Sequence, residues 1–184
     1  MSVTVIVIKR SSSMKHAHSL LLVMLISCMS LHASDPQRGY RGFVDINTDF
    51  SFKNEGYGES NTEVYYSLST THGFQFSPHF FLGAGVAWER ISDRAGLRNS
   101  EIPLFVQGRT DWTFGRVPLY GDLRIGGVMF GDYRFYLSPT VGYRLALGQR
   151  INLNAGIGMT FRGLGWSEEK TLHPQLALRV GIDF

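Results

Sequence analysis

The sequence predicts an all-β fold in which eight antiparallel strands close into an up-and-down barrel. Beyond residue 39, apolar and polar side chains alternate with period two, and no segment shows helical periodicity of comparable quality. The connections between these segments alternate between tight turns and longer polar stretches, which is typical of a meander. No apolar stretch after residue 35 is long enough for a membrane-spanning helix.

Each of the first four predicted strands has one bulky apolar face. The first, Gly42 to Phe52, sets valine, isoleucine and phenylalanine against aspartate, asparagine and serine. The second, Val64 to Phe76, sets tyrosine, leucine and phenylalanine against serine, threonine and glutamine. The third, Phe80 to Arg90, has a polar face that is mostly glycine, and the fourth, Ile102 to Phe114, sets leucine, valine and tryptophan against glutamine, arginine and aspartate.

The last four predicted strands continue the pattern. The fifth, Leu119 to Phe130, sets leucine, isoleucine and methionine against aspartate, arginine and glycine. The sixth, Phe135 to Leu147, and the seventh, Ile151 to Arg162, alternate aliphatic and aromatic residues with serine, threonine, asparagine, glycine and arginine. The eighth, Leu172 to Phe184, has the most regular alternation of all.

Connection lengths predict where the two ends of the barrel lie. The tight turns are Ser77 to His79, Gly115 to Pro118 and Gly148 to Arg150. The longer or more polar connections are Asn54 to Thr62, Ile91 to Glu101, Gly131 to Arg134 and Gly163 to Thr171. An even number of strands places both termini on the tight-turn side, as in bacterial outer-membrane barrels, whose periplasmic turns are short.

Volume and charge predict which face of the barrel points outward. An eight-stranded barrel has an interior just wide enough for side chains or one small ligand, so the bulky apolar faces cannot all point inward. An arginine turned towards lipid costs roughly 2 to 4 kcal/mol near the midplane. We therefore predict a transmembrane barrel with a polar lumen, in preference to a secreted lipocalin with an inward apolar face. The predicted lumen charge network is Asp45, Asp49, Glu89, Arg109, Asp111, Asp122, Arg124, Arg144, Arg162, Arg179 and Asp183.

Aromatic residues on the apolar faces gather at the two ends of the barrel, which predicts two interfacial girdles. At the tight-turn end they are Phe74, Phe76, Phe80, Trp112, Phe114 and Phe184. At the opposite end they are Phe50, Phe52, Tyr66, Trp88, Phe135 and Phe161.

The first 34 residues read as a secretory signal peptide, which leaves residues 35–184 for the barrel. A basic start and an apolar run from Leu20 to Leu31 precede a cleavage region at Ala33 and Ser34. A signal peptide that begins at Met14 would also have the conventional shape, so translation could start at either Met1 or Met14. Cys28 fits either a lipidation motif or, as we prefer, the apolar core of the signal.

The charge balance and the single cysteine exclude several function classes. The net charge of +3 is carried by the leader, because Lys9, Arg10 and Lys15 precede a segment in which basic and acidic residues are equal in number. That balance gives no support for nucleic-acid binding. With one cysteine and no convergent ligand set, we expect no disulfide framework, metal or cofactor.

The last strand and two glycine-rich segments resemble those of a known protein family. The final strand ends on Phe184, and the segments are GYRGFVD at Gly39 to Asp45 and TTHGF at Thr70 to Phe74. The chain resembles the small outer-membrane β-barrel family common in Bacteroidetes, related in architecture to the OmpA and OmpX barrels. This implies integration in the outer membrane, periplasmic termini, contact with outer-membrane lipid and recognition by the barrel-assembly machinery. The assembly signal would be Leu176, Leu178, Val180, Ile182 and Phe184.

A barrel of this kind is compatible with three functions. We expect a non-enzymatic structural or surface-interaction role, with the lumen closed by paired arginine and acidic residues and a surface-loop partner of unknown identity bound by residues such as Tyr57, Leu97 and Trp166. The first alternative is a narrow pore for small solutes. The second is a lipid-modifying envelope enzyme, for which the candidate residues are Glu89 and His173 with Ser167 or Thr171. We expect His72 and His79 to be interface residues rather than ligands.

Overall fold

The computed structural model describes residues 38–55, 59–93, 96–129, 134–148, 151–164 and 172–184. Within this part, no helix has the length and apolar character needed to cross a membrane. The predicted signal peptide, with Met14, Cys28, Ala33 and Ser34, lies outside the described residues. The strands are β1 (Gly39–Glu55), β2 (Glu59–Ser77), β3 (Phe80–Asp93), β4 (Gly96–Glu101), β5 (Pro103–Phe114), β6 (Val117–Val128), β7 (Arg134–Ala146), β8 (Asn152–Leu164) and β9 (Leu172–Asp183).

The strands form one closed antiparallel barrel. Apart from β4 and β5, strands that are neighbours in sequence pair with each other, and β1 pairs with β9 from Phe43↔Asp183 to Ser51↔Gln175, which closes the cylinder. Both β4 and β5 pair with β3, and Ile102 alone separates them, so they are two segments of one barrel strand. The barrel therefore has eight strands, and the predicted fold class is confirmed.

The two ends of the barrel differ in their connections. Tight turns join β2 to β3 and β5 to β6, and Gly115 adopts a φ of 64° in the second of them, a conformation that favours glycine. β1 begins and β9 ends at the same rim, where Gly42 and Phe184 exchange two backbone hydrogen bonds of 2.9 and 3.0 Å. We call this rim the short-turn end and the opposite rim, where β1 ends and β9 begins, the loop end.

The prediction of a long loop from Ile91 to Glu101 was wrong. In the structure β3 continues to Asp93 and β4 begins at Gly96, and the two segments pair down to Glu89↔Glu101. Similarly, β1 and β2 are 17 and 19 residues long and remain paired up to Glu55↔Glu59. These hairpins extend further at the loop end than the alternation of residues indicated.

The distribution of side chains is inverted relative to a water-soluble protein. Among the described residues, 27 large hydrophobic side chains are exposed and nine hydrophobic residues are buried, whereas 23 buried residues are polar or charged. Each predicted apolar face lies outward: Ile46, Val141 and Val180, for example, are 63%, 57% and 52% exposed. The polar faces line the interior, so the barrel core consists mainly of polar groups.

Candidate functional site: the charged interior

The structure places the predicted lumen charge network inside the barrel, where the charged groups form three clusters along the axis. Ten of its eleven residues are buried, and the side chain of Arg144 is 29% exposed at the short-turn end. Two further charged residues, Arg41 and Glu101, are buried with them. We define the clusters by their contacts, starting from the short-turn end.

The short-turn cluster joins three arginines to two aspartates. Arg41 contacts Asp111 at 2.7 Å and Asp183 at 3.0 Å, and Arg144 contacts the same two carboxylates at 3.3 and 3.2 Å. Arg109 donates from Nε to Asp111 at 2.8 Å. The amides of Asn152 and Asn154 also donate to Asp183. The cluster carries a formal excess of one positive charge and joins β1, β5, β7, β8 and β9.

The central cluster has two arginines and two aspartates and is balanced in charge. Arg179 donates from one nitrogen to both oxygens of Asp122 at 2.6 and 2.7 Å, and its Nε donates to Asn47 at 2.7 Å. Arg124 forms an ion pair with Asp45 and donates to Ser69 at 3.1 Å. These groups come from opposite walls, so the side chains cross the interior of the barrel.

The loop-end cluster surrounds one arginine with acidic residues. Arg162 contacts Glu89 at 2.5 and 3.1 Å and Asp49 at 2.8 Å. Glu101 lies directly opposite Glu89 in the β3–β4 register and is also buried. Counting Glu101, three carboxylates accompany one arginine, so the formal charge of the interior changes sign from the short-turn end to the loop end.

Aromatic rings inside the barrel support the arginine side chains, because the face of a ring attracts a guanidinium group. Arg109 lies 3.9 Å from the ring centroid of Tyr120, and Arg124 lies 4.8 Å from that of Phe105. Arg162 stacks on Tyr65 at 4.3 Å. These contacts fill the space between the ion pairs with apolar surface while the charged heads keep their hydrogen bonds.

Glycines on the inner faces leave room for these rings. A Cβ atom at Gly85 would lie 2.6 Å from two carbons of the Phe105 ring, and one at Gly83 would lie 2.6 Å from the Phe81 ring. A Cβ at Gly142 would meet the Tyr120 ring at the same distance. The glycine-rich inner face of β3 is therefore the counterpart of inward aromatic residues.

Sequence reasoning missed part of this site. It did not include Arg41 because the first strand was started at Gly42, and it did not include Glu101 because that residue was assigned to a loop. It also placed no aromatic residue inside. The sequence of the first strand could have revealed one of these inward aromatics. Phe43 lies two residues from both Arg41 and Asp45, so the alternation places all three on the same face. The missed inward aromatics are Phe43, Tyr65, Phe81, Phe105, Tyr120 and Tyr136.

The exterior forms an apolar belt with aromatic residues towards both rims. At the short-turn end Phe76 packs between Phe74 and Phe80, with ring centroids 5.2 and 6.2 Å apart. At the loop end Tyr66, Trp88 and Phe135 are exposed. The side chain of Phe52 lies outside the described part. In the final strand Leu176, Leu178, Val180 and Ile182 point outward, as the predicted assembly signal requires, and its recognition stays a prediction.

The histidines occupy different positions. On the outer face, His72 accepts or donates hydrogen bonds with Tyr40 at 2.5 Å and Thr70 at 2.9 Å, and His79 bonds the carbonyl of Asp111 at the short-turn end. Within the described residues, no group of three or more candidate ligands is arranged to hold a metal ion. The side chains of Leu97 and His173, and the whole of Tyr57, Trp166, Ser167 and Thr171, lie outside the described part.

Comparisons with known proteins give similarities of fold at low sequence identity. No family model matches the chain, and no curated protein matches it. The crystal structure of neisserial surface protein A is 15% identical with a TM-score of 0.47, covering 79% of this chain and 96% of the other. The solid-state NMR structure of the outer membrane protein AlkL in lipid bilayers is 13% identical with a TM-score of 0.45, covering 84% and 93%. A designed transmembrane β-barrel is 13% identical with a TM-score of 0.43, covering 83% and 98%. At these values the likenesses define neither a family nor a function for this chain.

Proposed function

We propose that the chain is an integral outer-membrane β-barrel with periplasmic termini and a structural or surface-interaction role that involves no catalysis. The observation that carries the proposal is the inverted distribution of side chains around a closed barrel. An exterior of 27 exposed large hydrophobic side chains is far more apolar surface than a soluble monomer presents. The β1–β9 pairing also closes the sheet into a barrel, and closure is the condition for spanning a bilayer with β-structure.

The interior of this barrel is proposed to be closed to solutes. Arginines and carboxylates from opposite walls meet in each cluster, and stacked aromatic rings occupy the space between them. A conducting pore is typically lined by charges of one sign, whereas these charges are mixed and paired. The scaffold then holds its loop-end hairpins rigidly, which is where a surface partner would bind.

A lipid-modifying enzyme is the second candidate, and one described arrangement favours it. The hydroxyl of Thr70, the ring of His72 and the hydroxyl of Tyr40 form a hydrogen-bonded chain on the outer face, and an imidazole beside a hydroxyl can activate it as a nucleophile once that hydroxyl donates to the ring instead of to the carbonyl of Phe43. We expect His72→Asn to leave the envelope lipids unchanged. Mass analysis of lipids from cells that express the wild type or this variant tests that expectation. A lipid modification that is present with the wild type and lost in the variant would show that the barrel is an enzyme and refute the non-catalytic role.

Membrane integration and closure are tested in two steps. Membrane fractionation followed by gel electrophoresis without boiling should give a membrane band with a shifted mobility, because folded barrels resist detergent. Planar-bilayer recording should then show no conductance steps for the wild type. A hollowed variant, Arg179→Ala with Asp122→Ala, removes a charge-balanced pair from the central cluster and should conduct. Steps in the wild type would establish the pore alternative, and a soluble band without a mobility shift would refute membrane integration.

A further inference from the structure

Charged side chains are few and unevenly placed on the part of the exterior whose side chains are described. Among the residues with described side-chain burial, three exposed ones have a permanent charge: Arg38, Arg90 and Arg116. Arg38 and Arg116 lie at the short-turn end, next to the start of β1 and in the β5–β6 turn. Arg90 lies on β3 at the loop end, within a strand and on the outward face. An arginine in that position requires a polar environment, since its cost rises steeply with depth in the bilayer.

Donor groups flank Arg90 on both neighbouring strands. Tyr66 of β2 is its register partner on one side, and Ser100 of β4 is its register partner on the other. All three side chains are exposed on the same face. Side chains directly opposite each other on antiparallel strands have Cβ atoms about 5 Å apart. A guanidinium group, a phenol and an aliphatic hydroxyl thus form a row of hydrogen-bond donors across three strands.

The surface below this row is apolar. Trp88, two residues along β3, lies with its ring 5.6 Å from the guanidinium carbon of Arg90. Trp88 is paired with Leu68 on the outward face, and the exposed Leu104 of β5 is the register partner of Val86, two residues from Trp88. Among the described exposed residues, no carboxylate lies on this face to compete for the guanidinium. The arrangement therefore presents donors at the rim and hydrocarbon-compatible surface towards the midplane.

We propose that Arg90, Tyr66 and Ser100 bind the phosphate group of a phosphorylated lipid in the leaflet at the loop end, with an acyl chain lying over Trp88. This inference rests on the proposed membrane integration. A phosphate accepts several hydrogen bonds, and the planar guanidinium group is suited to donate two of them in parallel. The apolar surface below the donors favours a lipid over inorganic phosphate, because free phosphate gains nothing from Trp88.

Native mass spectrometry of the full chain in detergent tests the site, with phosphatidic acid as the probe. Diacylglycerol with the same acyl chains is the control ligand, because it lacks only the phosphate. We expect Arg90→Gln to weaken phosphatidic acid binding about tenfold, which corresponds to roughly 1.4 kcal/mol. Arg116→Gln removes the same charge at the opposite rim and should leave binding unchanged. Arg90→Lys should restore part of the affinity, and diacylglycerol should not distinguish the variants.

Three outcomes would overturn the proposal. Equal phosphatidic acid binding by the wild type and Arg90→Gln would show that Arg90 is not a ligand. Equal loss in Arg90→Gln and Arg116→Gln would show a nonspecific charge effect. Displacement of the lipid by an equal concentration of inorganic phosphate would show a site for free anions. The mobility shift without boiling is measured for every variant. Loss of lipid binding by a protein that retains the shift overturns only this inference. Absence of the shift in the wild type refutes membrane integration.

Discussion

Replacing Arg162 with methionine should destabilise the barrel strongly, because it removes the counter-charge of two buried carboxylates. Glu89 and Asp49 are 1% and 4% exposed, and Arg162 donates hydrogen bonds to both. Removing one partner of a buried ion pair costs about 3 to 5 kcal/mol, since the remaining charge is left in a poorly solvating environment. With a urea slope of about 2 kcal/mol per molar, the unfolding midpoint should fall by roughly 2 M.

The triple variant Arg162→Met, Asp49→Leu, Glu89→Met separates loss of charge compensation from loss of packing. Buried ion pairs can be replaced by apolar residues of similar volume at little cost, so the triple variant should recover most of the lost stability. The free energy of unfolding of the wild type, Arg162→Met and the triple variant is measured by urea titration in detergent micelles under reversible conditions, with tryptophan fluorescence as the readout. Arg116→Met, on the exposed turn, is the matched control and should shift stability by less than about 0.5 kcal/mol. A single variant as stable as the wild type would refute the assigned role of Arg162.

Three further predictions test the outer face, the inner face and the pairing within the lumen. Val141→Arg should cost roughly 2 to 4 kcal/mol and reduce membrane assembly, because Val141 is 57% exposed near the middle of β7, whereas Val141→Leu should assemble normally in the same fractionation assay. Gly85→Val should cost about 1 to 3 kcal/mol by clashing with the Phe105 ring, and Phe105→Leu should relieve part of that cost in urea titrations. A double-mutant cycle on Arg179 and Asp122 should give a coupling energy of about 1 to 3 kcal/mol, and additive effects would contradict their direct pairing.

The strand pattern was predictable because a single physical contrast applies along most of each barrel strand. One face meets an apolar environment and the other meets polar groups, so alternation persists in β5, whose burial pattern changes with nearly every residue. The contrast is absent from the sequence between Ile91 and Glu101, where apolar and polar residues do not alternate. This explains why Ile91 to Glu101 was assigned to a loop: strand pairing continues there without an amphipathic pattern to reveal it.

The composition of the lumen was predictable, but its pairing was not. Alternation assigns Asp122 and Arg179 to the inner face, yet their contact depends on the relative stagger of strands that are 57 residues apart in sequence. Arg41 and Asp183 are 142 residues apart and meet only because the first and last strands pair. The inward aromatics were missed for a different reason: the rings of Phe105 and Tyr120 fit because Gly85 and Gly142 on neighbouring strands leave space, and that correspondence is visible only once the register is known.

The charge network is better explained by specificity of strand register than by its net stabilisation. Buried ion pairs contribute little net stability, because desolvation offsets most of their attraction. A register slip of one residue, however, turns every side chain of a strand to the opposite face. For β8 it would move Arg162 into the apolar belt and leave Glu89 and Asp49 without their partner, which combines the cost of a lipid-facing arginine with that of two unpaired carboxylates. Because each cluster draws residues from several strands, an error in any one strand disrupts contacts of the others. The interior therefore penalises misaligned barrels far more than it stabilises the correct one, which is the property that a barrel with an almost uniform apolar exterior requires.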